Sequence, residues 1–149
     1  MNQRNMMKME LTDDQMDKVA GGASAGYTSI ASGSFSSNTG TGLNIVVSWS
    51  VNSSGLGDKE LVISVAASSY SLTSQSLVSG VTLTVNGQIY YGSSDAVSYQ
   101  GNTLATNHLA SFTIPGFPGT AAVTASWHFN GSYGGKALTD IVASGTITA

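Results

Sequence analysis

The sequence predicts an all-β protein, one antiparallel β-sandwich of seven to eight short strands preceded by a short N-terminal helix. Three features of the chain point to it. From Tyr27 onward apolar and polar residues alternate with a period of two, as a half-buried sheet requires. Asn86-Gly87 stands between two such runs and is the strongest short hairpin signal. The alternating runs are rich in Val, Ile, Thr, Trp and Tyr and are separated by Gly, Ser and Asn, so local propensity agrees with the pattern.

Taken in chain order, Leu11 to Ala20 reads as the helix. Thr12 serves as N-cap, Gln15 stands three residues on as its capping-box partner, and Asp13 and Asp14 suit the positive end of the helix dipole. Gly21-Gly22 stops it. Leu11, Met16 and Val19 form a narrow apolar stripe, and a helix this short is marginal alone in water. The Ser/Gly-rich stretch 22–37 reads as partly flexible. Leu43, Ile45, Val47, Trp49 and Val51 then alternate with mostly polar neighbours, and after a turn over 52–58 so do Leu61, Ile63, Val65 and Ala67. Val81, Leu83 and Val85 run into Asn86-Gly87, and 88–91 returns. Ala110, Phe112 and Ile114 precede a turn at 116–119. Val123, Ala125, Trp127 and Phe129 follow with Thr124, Ser126 and His128 on the other face, and 138–148 is the last strand. Trp49 and Trp127 fall in the apolar set of their strands and are expected in the core.

A chain of 149 residues has room for one packed domain. Its boundary falls where the chemistry changes, giving segment 1–22 and body 23–149. Arg4, Lys8, Glu10, Asp13, Asp14, Asp17 and Lys18 place seven of the thirteen charges in the first segment. Only 9% of residues are charged, so solubility rests on hydroxyls and amides. A net charge of −3 provides no basic patch to neutralise phosphates, which argues against nucleic acid as a partner. With no cysteine, a disulfide framework and a zinc-thiolate site are both excluded. No stretch approaches the roughly 18 apolar residues of a membrane span, and the N-terminus lacks the apolar core of a Sec signal peptide.

Leu11, Met16, Val19, Gly21 and Gly22 resemble the double-glycine leader of bacteriocin precursors and related peptides. In that family apolar side chains lie twelve, seven and four positions before the cut, and Leu11, Met16 and Val19 occupy those positions when the cut follows Gly22. The resemblance implies a peptidase-containing ABC transporter as partner, cleavage between Gly22 and Ala23, and secretion of the body. Two residues without side chains enter a narrow protease slot, while the helix stripe supplies the grip. Gln15 departs from the Glu that the family often carries. The competing account is an ordinary N-terminal helix with a Gly-Gly ending, which packs on the sheet and persists.

In the body, the hairpin from Val81 to Tyr90, the run Leu104-Ala105-Thr106-Asn107-His108 and the ending 141–149 resemble the small immunoglobulin-like modules of siphovirus tail and baseplate proteins. The turn Gly116-Phe117-Pro118-Gly119-Thr120 departs from the Asn-Asp-Gly type that such modules often carry. An immunoglobulin-like sandwich acting as a structural or surface-binding module is what the resemblance implies.

Motifs that carry chemistry are sparse. Gly22-Ala23-Ser24-Ala25-Gly26 fits the spacing of a nucleophile elbow, but an elbow follows a strand and opens a helix, and here a helix comes first. His108 and His128 are the two histidines, neither at a metal-ligand spacing from another His or a carboxylate, and His128 reads as a lone exposed imidazole. Nothing in the spacing of Asp58, Glu60, Asp95 or Asp140 pairs one of them with a histidine. Gly134-Gly135-Lys136-Ala137 lacks both ends of a phosphate loop and reads as a turn with a solvated lysine. No catalytic set, metal or cofactor is therefore expected. Tyr90, Tyr91, Phe117 and Tyr133 sit at strand ends and turns, where such rings can stack on a cell-surface glycan or on a protein, or simply cover the rims of the sandwich. The expectation is a secreted, non-enzymatic module for adhesion, matrix or surface binding, partnered by glycan or by its own copies through poorly guarded sheet edges. A bacteriocin-like toxin is the alternative.

Overall fold

A computed structural model describes residues 26–70, 80–94 and 102–149. These residues form eight strands: β1 (Thr28–Ser36), β2 (Asn44–Ser53), β3 (Lys59–Ser69), β4 (Gly80–Val85), β5 (Gln88–Ser93), β6 (Ala105–Pro115), β7 (Thr120–Tyr133) and β8 (Lys136–Thr148). There is no helix among the described residues. The expected helix and its stripe of Leu11, Met16 and Val19, the glycines Gly21 and Gly22, and Ala23 and Ser24 lie outside them.

The strands pair antiparallel in two sheets of four, with orders β1-β2-β3-β6 and β5-β4-β7-β8. The core lies between them. From the first sheet it takes Ile45, Val47, Val51, Leu61, Ile63 and Val65, and from the second Val81, Leu83, Val123, Ala125, Trp127 and Ile141. These are the apolar positions of the period-two pattern, because successive side chains of a strand point to opposite faces. Trp127 is 1% exposed and packs at 5.0 Å, centroid to centroid, on Phe129.

Two expectations change. The stretch read as partly flexible contains β1, whose residues 28–36 pair with β2 around a bulge between Ser29 and Ala31. Small side chains suit it to an edge strand: the Trp49 ring of β2 lies across Gly33, where an added Cβ would fall 2.7 Å from the indole. Trp49 is consequently half-buried at the margin of the core and not at its centre. The β4–β5 connection is the two-residue turn expected from Asn86-Gly87, with φ of 50° and 85° at the two residues, the pairing that matches the twist of a hairpin.

The outer face of the first sheet departs from simple alternation. Ser50, Asn52 and Glu60 are turned away from the core yet are buried. They form a chain in which Ser29 Oγ meets Ser50 Oγ at 3.0 Å, Ser50 Oγ donates to Asn52 Oδ1 at 2.6 Å, and Asn52 Nδ2 donates to Glu60 Oε2 at 3.1 Å. A buried polar group needs such partners, since leaving one unmade costs the full desolvation of the group.

Candidate functional site

The outer face of the second sheet collects the exposed chemistry of the body. Core residues Leu83, Trp127 and Ile141 point inward, so their neighbours Thr82, His128 and Asp140 point outward. On the same face stand Thr84, Thr124, Ser126, Val142 and Ser144, and on β5 Ile89 and Tyr91. Thr82 faces Tyr91 on one side and Ser126 on the other, while His128 faces Asp140. The face is thus a field of hydroxyls interrupted by Ile89, Tyr91 and Val142, all substantially exposed.

Register brings three polar groups into line. His128 Nδ1 lies 3.0 Å from Asp140 Oδ1, and His128 Nε2 lies 2.7 Å from Thr82 Oγ1. In the neutral ring Nδ1–H donates to the carboxylate and Nε2 accepts from the threonine hydroxyl; in the protonated ring both nitrogens donate. The side chains of His128 and Asp140 are 33% and 47% exposed, so water screens the pair and its worth to stability is under about 1 kcal/mol. His128 is therefore not the lone imidazole its sequence position suggests. Two residues twelve apart meet because a hairpin folds β7 onto β8, and Thr82 arrives from 46 residues away. Outward parity on three strands was readable in the sequence, but the strand order that makes them neighbours was not.

The arrangement has the order hydroxyl, imidazole, carboxylate used to activate a nucleophile. β4 is an interior strand paired on both sides, so its backbone N–H groups serve the ladders rather than a developing oxyanion. What the cluster offers directly is a fixed set of donors and acceptors at the surface.

Beside it lies Tyr91, which is 63% exposed. An ideal Cβ on Gly80 would fall 2.0 Å from the Tyr91 hydroxyl oxygen and 2.3 Å from Cε1. The hydroxyl end of the ring thus occupies the space that any side chain at position 80 would fill. The β4–β7 ladder ends at Val81↔Trp127, the chain neighbours of Gly80 and His128.

The other rings expected at the surface fare differently. Phe117 is 7% exposed and belongs to the core, because the 116–119 turn tucks it inward with the Gly116 and Phe117 N–H groups both donating to Lys59 O. Tyr90 faces inward opposite Leu83 and packs on the core. Tyr133 is half-buried and its hydroxyl accepts the Tyr70 N–H at 3.2 Å, which fixes one end of β7. Of the four, Tyr91 alone is exposed.

His108 Nε2 lies 2.7 Å from Ser111 Oγ along its own strand. Lys136 donates to Thr39 O at 3.0 Å and so ties the β7–β8 hairpin to the loop before β2, a structural role where a solvated lysine was expected. Asp95 lies outside the described residues. No group of three or more His, Cys, Asp or Glu suited to a metal ion occurs among the described residues. No described helix is long and apolar enough to cross a membrane. Comparison of the chain with protein-family models, curated proteins and solved structures gave no match.

Proposed function

We propose that the chain is the precursor of a secreted, non-enzymatic surface-binding module that acts in adhesion or in an extracellular matrix. The observation that carries this reading is the outer face of the β5-β4-β7-β8 sheet, where an exposed aromatic ring, two aliphatic side chains and a bonded Thr82–His128–Asp140 row lie in a field of hydroxyls. Adhesive recognition uses such a mixture of apolar area and oriented polar groups, and a rigid sheet holds them in place without a lid or cleft.

Export is read from the leader-like segment 1–22, with Leu11, Met16 and Val19 held by a peptidase-containing ABC transporter and the chain cut after Gly22. The body is immunoglobulin-like in layer architecture. Its first sheet joins the first, second, third and sixth strands, whereas an immunoglobulin constant domain joins its first, second, fifth and fourth.

Fluorescently labelled protein purified from culture medium tests the reading. It is expected to coat the producing cells, and to begin at Ala23 by intact mass. Full-length chain retained inside the cells, or secreted protein that leaves the cells unlabelled, overturns it. The bacteriocin-like alternative rests on the leader resemblance alone and predicts growth inhibition of related strains by the same preparation.

A further inference from the structure

We propose that Tyr91, Thr82, His128 and Asp140 form a saccharide-binding site for a neutral polysaccharide, in which a pyranose ring stacks on the exposed face of Tyr91 and its hydroxyls bond to the His128–Asp140 row. The inference rests on the surface-binding reading and names the ligand of that face.

Tyr91 is placed as a platform. The hydroxyl end of its ring lies over Gly80, which has no side chain to displace it, while most of the side chain remains exposed to solvent. An aromatic face carries partial negative charge and attracts the polarised C–H groups on the flat side of a sugar ring. A ring whose end is already seated over Gly80 loses little rotamer entropy when the ligand arrives.

The polar row lies where the edge of a stacked sugar would fall. Thr82, opposite Tyr91, meets His128, which faces Asp140, so the row runs across β4, β7 and β8, and the sheet spans about 14 Å from β5 to β8 at the usual strand spacing. Asp140 uses Oδ1 on His128, and its carboxylate retains acceptor capacity for a sugar diol. Thr82 and His128 hold one another in place at 2.7 Å. Asp140 is also the one carboxylate at an outward position of this sheet among the described residues, and Lys136, four residues earlier on β8, is engaged with Thr39 O. The local charge therefore favours a neutral glycan over one bearing phosphates or uronic acids.

Affinity electrophoresis of the full-length chain through gels containing mannan, dextran, laminarin or hydroxyethylcellulose tests the site, with polygalacturonate as the acidic control. At least one neutral polymer is expected to retard the protein. Tyr91→Ala should weaken that apparent affinity at least tenfold, Tyr91→Phe should preserve it, and Asp140→Asn should weaken it severalfold with an unchanged circular dichroism spectrum and melting curve. If Tyr91→Ala disturbs folding, the exposed Asp140→Asn variant decides. Absence of retardation by all four polymers overturns the inference, as does equal retardation of wild type and both weakening variants, or stronger retardation by polygalacturonate. The two readings separate on cells: protein that coats them but ignores every neutral polymer sinks the saccharide site and leaves surface binding standing. Tyr91-dependent retardation without cell coating does the reverse.

Discussion

Single residues divide here by which side of a strand they occupy. Trp127 and His128 are chain neighbours, yet one is sealed between the sheets against Phe129 and the other is wired to Thr82 and Asp140 at the surface. Trp127→Ala removes a large side chain from a site that cannot collapse around the loss. It should cost about 3–5 kcal/mol in denaturant unfolding. Trp49→Ala, at the half-buried margin over Gly33, should cost clearly less in the same measurement. Asp140→Asn removes one member of a solvent-screened pair, so its unfolding free energy should stay within about 1 kcal/mol of wild type. A larger loss would mean that the row supports the fold and not a ligand. Gly80→Ala would put a methyl group where the Tyr91 hydroxyl lies. Because the obstruction is the far end of a side chain, the ring swings off the sheet and stability changes by less than about 1 kcal/mol, while retardation by the neutral polymer falls.

At the scale of elements, the β4–β5 hairpin is held by more than its turn type. Asn86 accepts the Ala122 N–H on Oδ1 at 2.8 Å and donates from Nδ2 to Thr120 O at 3.2 Å, so the hairpin tip is fastened to the start of β7. Asn86→Ala loses those bonds and puts a less tolerant residue at positive φ. A cost of roughly 2–3 kcal/mol is expected by thermal unfolding. The edge strand β1 poses a different problem. Beyond the bulge near its start, TSIASGSFS contains no charge and no proline, two of the devices by which edges avoid pairing with another copy. Concentrated protein should therefore self-associate through β1 in analytical ultracentrifugation, and Ser32→Lys, at an exposed edge position, should shift it toward monomer. Equal association of the two proteins would place the contact elsewhere.

The whole molecule separates scaffold from surface. Its core draws on both sheets and consists of the apolar half of each alternating strand. The opposite halves differ between sheets. On the first sheet Ser50, Asn52 and Glu60 are buried in a hydrogen-bonded chain, whereas on the second Tyr91, His128 and Asp140 meet solvent. Part of the first face is thus committed to structure, while the row on the second is available for contact. Partial proteolysis of the secreted protein should accordingly leave an intact eight-stranded fragment, with Tyr91-dependent polymer binding preserved in it. Loss of binding on trimming, with the strands intact by circular dichroism, would assign recognition to residues outside the sandwich.

The sequence alone specifies the all-β class, the inward set of nearly every strand, the Asn86-Gly87 hairpin and the change of chemistry after Gly22, because these depend on period, propensity and composition along the chain. It misread β1, since Ser and Gly signal flexibility locally and become a strand only when β2 supplies a ladder and Trp49 covers Gly33. It also placed Phe117 and Tyr90 at the surface, where turn direction and strand parity turn them inward. That Thr82, His128 and Asp140 are neighbours, and that the end of the Tyr91 ring lies over Gly80, is set by how the strands assemble. Those contacts depend on which strands adjoin and in what register, and strands far apart in sequence carry no local mark of the partner they will meet.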